Sequence, residues 1–287
     1  MSNTIEQDLP PYKLKAHNYG EDHENKIHSD EGAAKYGFAG ALVPGVAVYA
    51  YLARPVLDAF GKAWLEGGLM KARFISPVYD GDLVTATGHI TNFDPLTASL
   101  ELRNPADVVC AVGEASMPQT QPGISISDYP HAALPEPDRR RRATISSFKT
   151  GDLLGSLDFR LDFKEEMTAF LDDMVETAGI YRSGEVACHP AFIVARSNEI
   201  LMSNVALGSW IHTSSEVSHH AIAVDDESLS LRGRVAELYE KRGNEYLVLD
   251  LALFGEKDRP IARIKHSAII RLMETDKTIP NIVSSVS

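Results

Sequence analysis

The chain has 287 residues, 44% hydrophobic and 24% charged, enough for one large domain or two modest ones, each with its own core. A formal net charge of −12 argues against non-specific binding to nucleic acid or to an anionic membrane, since both reward basic surfaces. Cys110 and Cys188 lack zinc or redox spacing, and no apolar run approaches the roughly 18 residues of a membrane span.

The first residues are acidic and hold no apolar signal-peptide core, so free thiols in a cytoplasmic setting are expected. An extended segment is predicted over Pro11 to Ala16. The polar stretch that follows contains Asn25, His28 and Asp30, and Ser29-Asp30-Glu31 has the form of a helix start. Pro44-Gly45 opens an apolar helix predicted from Gly45 to about Ala59, because proline suits a first turn whose N–H has no intrahelical partner. Pro55 is expected to end or kink this helix near Ala53. Strands are predicted over Met70 to Val78 and Asp82 to Thr91, joined by the turn signal Tyr79-Asp80-Gly81. Two more, Leu100 to Leu102 and Val108 to Met117, flank Asn104-Pro105. Residues 119–150, rich in proline and charge, read as a linker. The run Arg139–Arg142 within it has no interleaved aromatics and reads as a solvated stretch.

The second half repeats the order. An extended segment over Ser156 to Phe163 precedes a helix from Ala191 to Leu207. Strands follow over Glu216 to Val224, Ser228 to Tyr239, Glu245 to Phe254 and Ile261 to Leu272, with turns at Gly243-Asn244 and Gly255 to Asp258. Pro44 and Pro190, Trp64 and Trp210, Val78 and Val224, Asp80 and Asp226, and Leu83 and Leu229 all stand 146 positions apart. With only two tryptophans in the chain, that common offset points to a duplication, with units at 1–118 and 151–287. One helix followed by antiparallel strands, taken twice, is α+β architecture with a long helix packed against each curved sheet.

Asn25-x-x-His28-x-Asp30-x-x-x-Ala34-x-x-x-Phe38, then Gly45, then Phe74-x-x-Pro77-Val78-x-x-Gly81-Asp82, resembles the signature of the MaoC-like R-specific enoyl-CoA hydratases and dehydratases. The resemblance spans roughly Tyr19 to Thr91 and implies a double hotdog fold. It implies that His28 takes part in adding or removing water at the double bond of an enoyl thioester, with the Gly45 N–H offered to the thioester oxygen. The remaining substrate-binding positions are expected at Asn25, Asp30, Val46 and Arg73. Where the family has its catalytic Asp this chain has His23, and Lys26 replaces the Pro after the Asn. A loop shift that returns Asp22 to the site, His23 acting in its place, and a decayed site all fit the spacing. Val43-Pro44-Gly45 also stands where the family has Ala-His-Gly, which makes the entrance more apolar.

An imidazole with an ordinary pKa of about 6.5 can pass a proton near neutrality without extreme tuning. The second half lacks the motif: Met174 and Ala191 stand at the positions of His28 and Gly45. His212, His219 and His220 read as polar strand positions, with His212 and His220 at an even spacing that allows one face, and no metal site or cofactor is expected. The expected partner is an acyl thioester, of CoA first, with the chain a monomer or homodimer. The alternatives are a thioesterase, for which Asp58 and Glu66 lie at the far end of the helix, and a non-catalytic acyl-binding or structural protein.

Overall fold

The computed structural model describes residues 7–183 and 186–273, so the outer ends of the two expected units, 1–6 and 274–287, lie outside the described residues. The first half runs β1 (Tyr12–Lys15), the short helix α1 (Asp30–Ala34), the long helix α2 (Gly45–Phe60), α3 (Lys62–Gly67), β2 (Leu69–Phe74), β3 (Leu83–Phe93), β4 (Leu96–Arg103) and β5 (Val109–Met117). After β6 (Arg141–Arg142) come β7 (Leu157–Arg160), α4 (Thr168–Asp173), α5 (Pro190–Asn204), β8 (Val205–Ala206), β9 (Ile211–His219), β10 (Ser228–Lys241), β11 (Asn244–Phe254) and β12 (Pro260–Arg271).

Ten strands form one antiparallel sheet in the order β1-β3-β4-β5-β2-β9-β12-β11-β10-β7. Read outward from the centre, each half repeats the other. The halves join where β2 pairs with β9, Lys71 opposite Glu216, their charged ends 3.3 Å apart. The duplication read in the sequence therefore has a structural counterpart, with a small drift. Val84 and Leu229 are the equivalent inward residues, paired respectively with Leu14 and Phe159 across the edge strands. They stand 145 positions apart. Leu83 faces solvent and is not the counterpart of Leu229.

Helix α2 is apolar apart from Arg54 and Asp58 near its far end, and eleven of its sixteen residues are buried. That is the composition of a helix enclosed by sheet on one side and by α5 on the other. Pro55 does not stop it: the helix runs through to Phe60. A mid-helix proline costs about 3 kcal/mol in lost hydrogen bonding and crowding. Leu52, Val56 and Leu57 around it each contribute roughly 1.5–3 kcal/mol on burial, so packing outweighs propensity here.

Three strand expectations also shift. Tyr79-Asp80-Gly81 does turn the chain, but not into a hairpin, because β2 lies at the centre of the sheet and β3 two strands further out. Strand β9 begins at Ile211, well before the expected Glu216, since its inward positions include His212, Ser215 and His219 and so conceal the alternation. Asn244 is the first residue of β11, and the two-residue hairpin loop is Arg242-Gly243, both at positive φ as the right-handed twist favours.

Residues 119–150 lie as a strap on the outer face of the second half. Tyr129 packs on Phe254 and donates its hydroxyl to Asp250, and the Ile145 N–H is accepted by Glu245. Within the run Arg139–Arg142, Arg140 donates to the Met202 carbonyl and Arg141 pairs with Asp152.

Candidate active site

A cavity of about 280 Å³ opens between the halves at the start of α2. The first half lines it with His28, the 42–45 segment, Val48 and the 74–78 segment; the second adds Asn198, the 210–213 segment, Tyr246 and Ile269. The chain leaves β2 after Phe74 and wraps beneath the helix entrance, where the Val43 N–H bonds the Val78 carbonyl at 2.8 Å. The Phe-x-x-Pro-Val stretch thus forms the cavity wall. Among the described residues no Lys, Arg, Asp or Glu lines it.

The polar features of the cavity begin with the first turn of α2. Pro44 is the N-cap and supplies no side-chain acceptor. The Ala47 and Val48 N–H groups are taken by the Pro44 carbonyl, at 2.9 and 3.3 Å. Those of Gly45 and Val46 precede the first intrahelical bond and have no acceptor among the described residues. An acceptor oxygen brought to this end of the helix meets two N–H donors and the positive end of the macrodipole. Only glycine fits at 45: an added Cβ would stand 2.9 Å from His212 Nδ1 and from the Phe74 ring. The Val46 side chain faces the core and does not reach the cavity.

His28 ends a turn of 3-10 helix that starts at Asn25. Its Nδ1 lies 2.7 Å from the Leu42 carbonyl, which accepts only a hydrogen, so the neutral ring carries its proton on Nδ1 and leaves the Nε2 lone pair free. Burial pushes its pKa down to about 4; the Leu42 contact opposes that shift and His23 adds to it. His28 is therefore a neutral base at physiological pH.

The other predicted residues separate. Asn25 is buried at the cavity, but its amide is committed to a bridge between the halves, donating to the Trp210 carbonyl at 3.0 Å and accepting the Trp210 N–H at 3.3 Å. Asp30 is exposed and accepts the Ala41 N–H at 2.8 Å, which ties down the loop before α2. His23 and Asp22 are exposed on the solvent side. The His23 ring stands edge-on to His28 with centroids 6.3 Å apart, and neither residue lines the cavity. Arg73 points to the opposite face of the sheet, because Phe74 next to it points inward and side chains alternate. It lines an open outer groove of about 440 Å³ together with the paired Lys71 and Glu216.

Sequence reasoning missed His212. A bulge at Thr213 leaves that residue unpaired between the Ser214–Ser267 and His212–Ala268 pairs. His212 and Ser215 consequently share the inner face, which simple alternation forbids. His212 Nε2 lies 2.8 Å from Ser215 Oγ, which lies 3.0 Å from His266 Nδ1, and the two imidazoles stack at 4.4 Å. His212 Nδ1, beside Gly45, is buried without a partner, as is Asn198 Oδ1 in the same cavity. The one face that the spacing of His212 and His220 allows is not shared, since His220 lies beyond the end of β9. No group of three His, Cys, Asp or Glu side chains among the described residues could hold a metal ion.

No family model and no curated protein matches the sequence. Solved structures do. A protein of Chloroflexus aurantiacus assigned as a MaoC domain dehydratase is 12% identical, with a TM-score of 0.63 over 92% of this chain and 95% of its own. A conserved hypothetical protein of Mycobacterium tuberculosis, described as a double hotdog fold, is 16% identical, with a TM-score of 0.58 over 94% of this chain and 96% of its own. This chain is a double hotdog. The fold is shared with other chemistry, for a protein of Lactobacillus plantarum assigned as an oleoyl thioesterase is 11% identical with a TM-score of 0.52, over 94% and 99%. Double hotdogs of similar shape thus include proteins assigned as MaoC-like dehydratases and as thioesterases, so the choice of chemistry falls to the cavity. No helix among the described residues is long and apolar enough to cross a membrane.

Proposed function

We propose that the protein is a hydro-lyase that adds or removes water at the double bond of an enoyl thioester, with a CoA ester as the substrate to try first. The observation that carries this reading is the meeting, in one cavity, of a neutral imidazole with a free Nε2 and an uncapped helix N-terminus. The thioester oxygen accepts from the Gly45 and Val46 N–H groups, which draws electron density from the double bond. His28 Nε2 takes a proton from water as the water oxygen bonds to the β-carbon, and the electron pair moves onto the thioester oxygen. The imidazolium then returns its proton to the α-carbon, and the negative charge on the oxygen collapses back into the carbonyl. Elimination is the reverse. His28 therefore serves as both base and acid, and neither Asp22 nor His23 has a role in this scheme.

One observation favours a second reading. No Asp or Glu among the described residues lines the cavity, which leaves it without the carboxylate of the family's hydratases or of a hotdog thioesterase, so the first competitor is a non-catalytic acyl binder. Purified protein mixed with crotonyl-CoA separates the two. Loss of the enoyl-thioester absorbance with formation of a single 3-hydroxy enantiomer is expected, and His28→Ala should lower kcat/KM by about a hundredfold to ten-thousandfold. Binding without turnover would leave the acyl-binding reading in possession of the site. Release of free thiol would point to the thioesterase instead.

A further inference from the structure

The polar relay behind the cavity plays no part in the scheme above. His212 is 6% exposed, and its unpartnered Nδ1 lies where a Cβ on Gly45 would press on it, against the start of α2. Ser215 Oγ sits between His212 Nε2 and His266 Nδ1. A hydroxyl has one proton, and the only partners of Ser215 Oγ among the described residues are the two imidazoles, so it donates to one and accepts from the other. Were Ser215 to donate to His266, that ring would carry its hydrogen on Nε2, which is buried with no partner. Were it to donate to His212, His266 Nε2 would hold only a lone pair. Each choice leaves one imidazole N–H without a protein acceptor, but His212 lines the cavity and His266 does not, so only the N–H of His212 can be met there by water or by a ligand oxygen. The bonds therefore run from His266 Nδ1–H to Ser215, and from the Ser215 hydroxyl to His212 Nε2. The hydrogen of His212 is then left on Nδ1, beside Gly45.

We infer that His212 is a third donor to the ligand oxygen, directing its Nδ1–H alongside the N–H groups of Gly45 and Val46, and that Ser215 and His266 are positioning residues that fix its tautomer. The identity of that oxygen rests on the thioester reading; the tautomer does not. The donor comes from the second half of the chain and the base from the first, so the site is complete only when the halves pair. Neither imidazole of the relay needs a charge, which suits their burial.

Two measurements test this. In unliganded protein labelled at the histidine nitrogens, two-bond proton–nitrogen correlation should find hydrogen on Nδ1 of both His212 and His266, and Ser215→Ala should mix the tautomers. A His212 ring protonated on Nε2 overturns the relay. With crotonyl-CoA, His212→Leu should lower kcat/KM by about a hundredfold, mainly through kcat, as loss of one oxyanion donor does. His212→Asn, whose amide nitrogen falls near the Nδ1 position, should recover most of that loss. A Leu variant within twofold of the wild type overturns the donor role. Should the Leu variant not fold, Ser215→Ala removes only a hydroxyl and should still lower kcat several-fold. A wild-type protein that does not hydrate crotonyl-CoA removes the ligand oxygen and with it the donor role, while the spectrum of the unliganded protein decides the relay separately.

Discussion

The two long helices begin at equivalent places in the two halves, and their first turns have opposite fates. At α2 the cap is Pro44, the next residue is Gly45 at the cavity, and the N–H donors of Gly45 and Val46 have no acceptor among the described residues. At α5 the side chain of His189 accepts the Ala191 N–H at 3.0 Å, Pro190 has no N–H to offer, and Ala191 is fully buried. Behind His189 the space is filled by the Tyr181 ring, 4.5 Å away between centroids, and by Glu176, whose carboxylate lies 3.7 Å from the imidazole. Arg54 of α2 closes the cluster with a 2.7 Å bond to Glu176. A helix dipole alone is thus no site. What distinguishes α2 is that nothing among the described residues satisfies its first donors.

The comparison is broken most directly at its two small residues. Gly45→Ala drives a methyl to within 2.9 Å of His212 and Phe74. Turnover should fall by about a hundredfold, the scale of losing one oxyanion donor or its alignment. Ala191→Gly should leave turnover unchanged and cost at most about 1 kcal/mol of stability, read by denaturant melts, because that N–H is already taken. Equal effects of the two changes on turnover would mean that the α2 terminus has no special role.

How much of this was legible beforehand follows the same division. The helix start at Pro44-Gly45, the order of elements in each half and the near-constant offset could be read because they depend on local chemistry and on alternation. Pro55 misled because enclosure of α2 by the sheet is a tertiary fact that outweighs propensity. His212 was hidden for a different reason: one unpaired residue at Thr213 reverses the parity of the strand, and no residue type there announces it. Asp22 and His23 were candidates by spacing alone, whereas the loop turns both toward solvent and leaves His28 facing in.

The filled terminus makes its own predictions, of smaller size. Burial acts to raise the Glu176 carboxyl, yet His189, the Ala178 N–H and Arg54 outweigh it and hold the pKa at about 2. Its contribution to stability is present above the unfolded-state value and is lost as pH falls through about 2. Glu176→Gln should cost on the order of 2 kcal/mol, the low side for a broken buried pair because Asp58 still holds Arg54 at 2.9 Å. His189→Ala removes a cap and should cost about 1 kcal/mol. In both variants turnover of crotonyl-CoA should match the wild type. A loss of activity in excess of the loss of folded protein would mean that the two termini communicate.

The smallest expected effect is a flat line, and it bears hardest on His28. An imidazole at the ordinary value of about 6.5 gives up roughly three quarters of its base form between pH 8 and pH 6. With its pKa lowered to about 4, chiefly by burial, His28 gives up only about a hundredth over that range. Steady-state kcat/KM should therefore stay level from pH 8 down to about 5 and fall through a single limb centred near 4. The residual rate of His28→Gln should lack that limb. The sign for stability is the reverse of the Glu176 case. Below about 6.5 the unfolded chain takes up a proton that the folded one refuses, so His28 lowers stability as pH falls, until about 4, where the folded state binds the proton too. A midpoint near 6.5 in the rate profile would mean that His28 titrates as if in water, against the burial that the structure gives it beside α2.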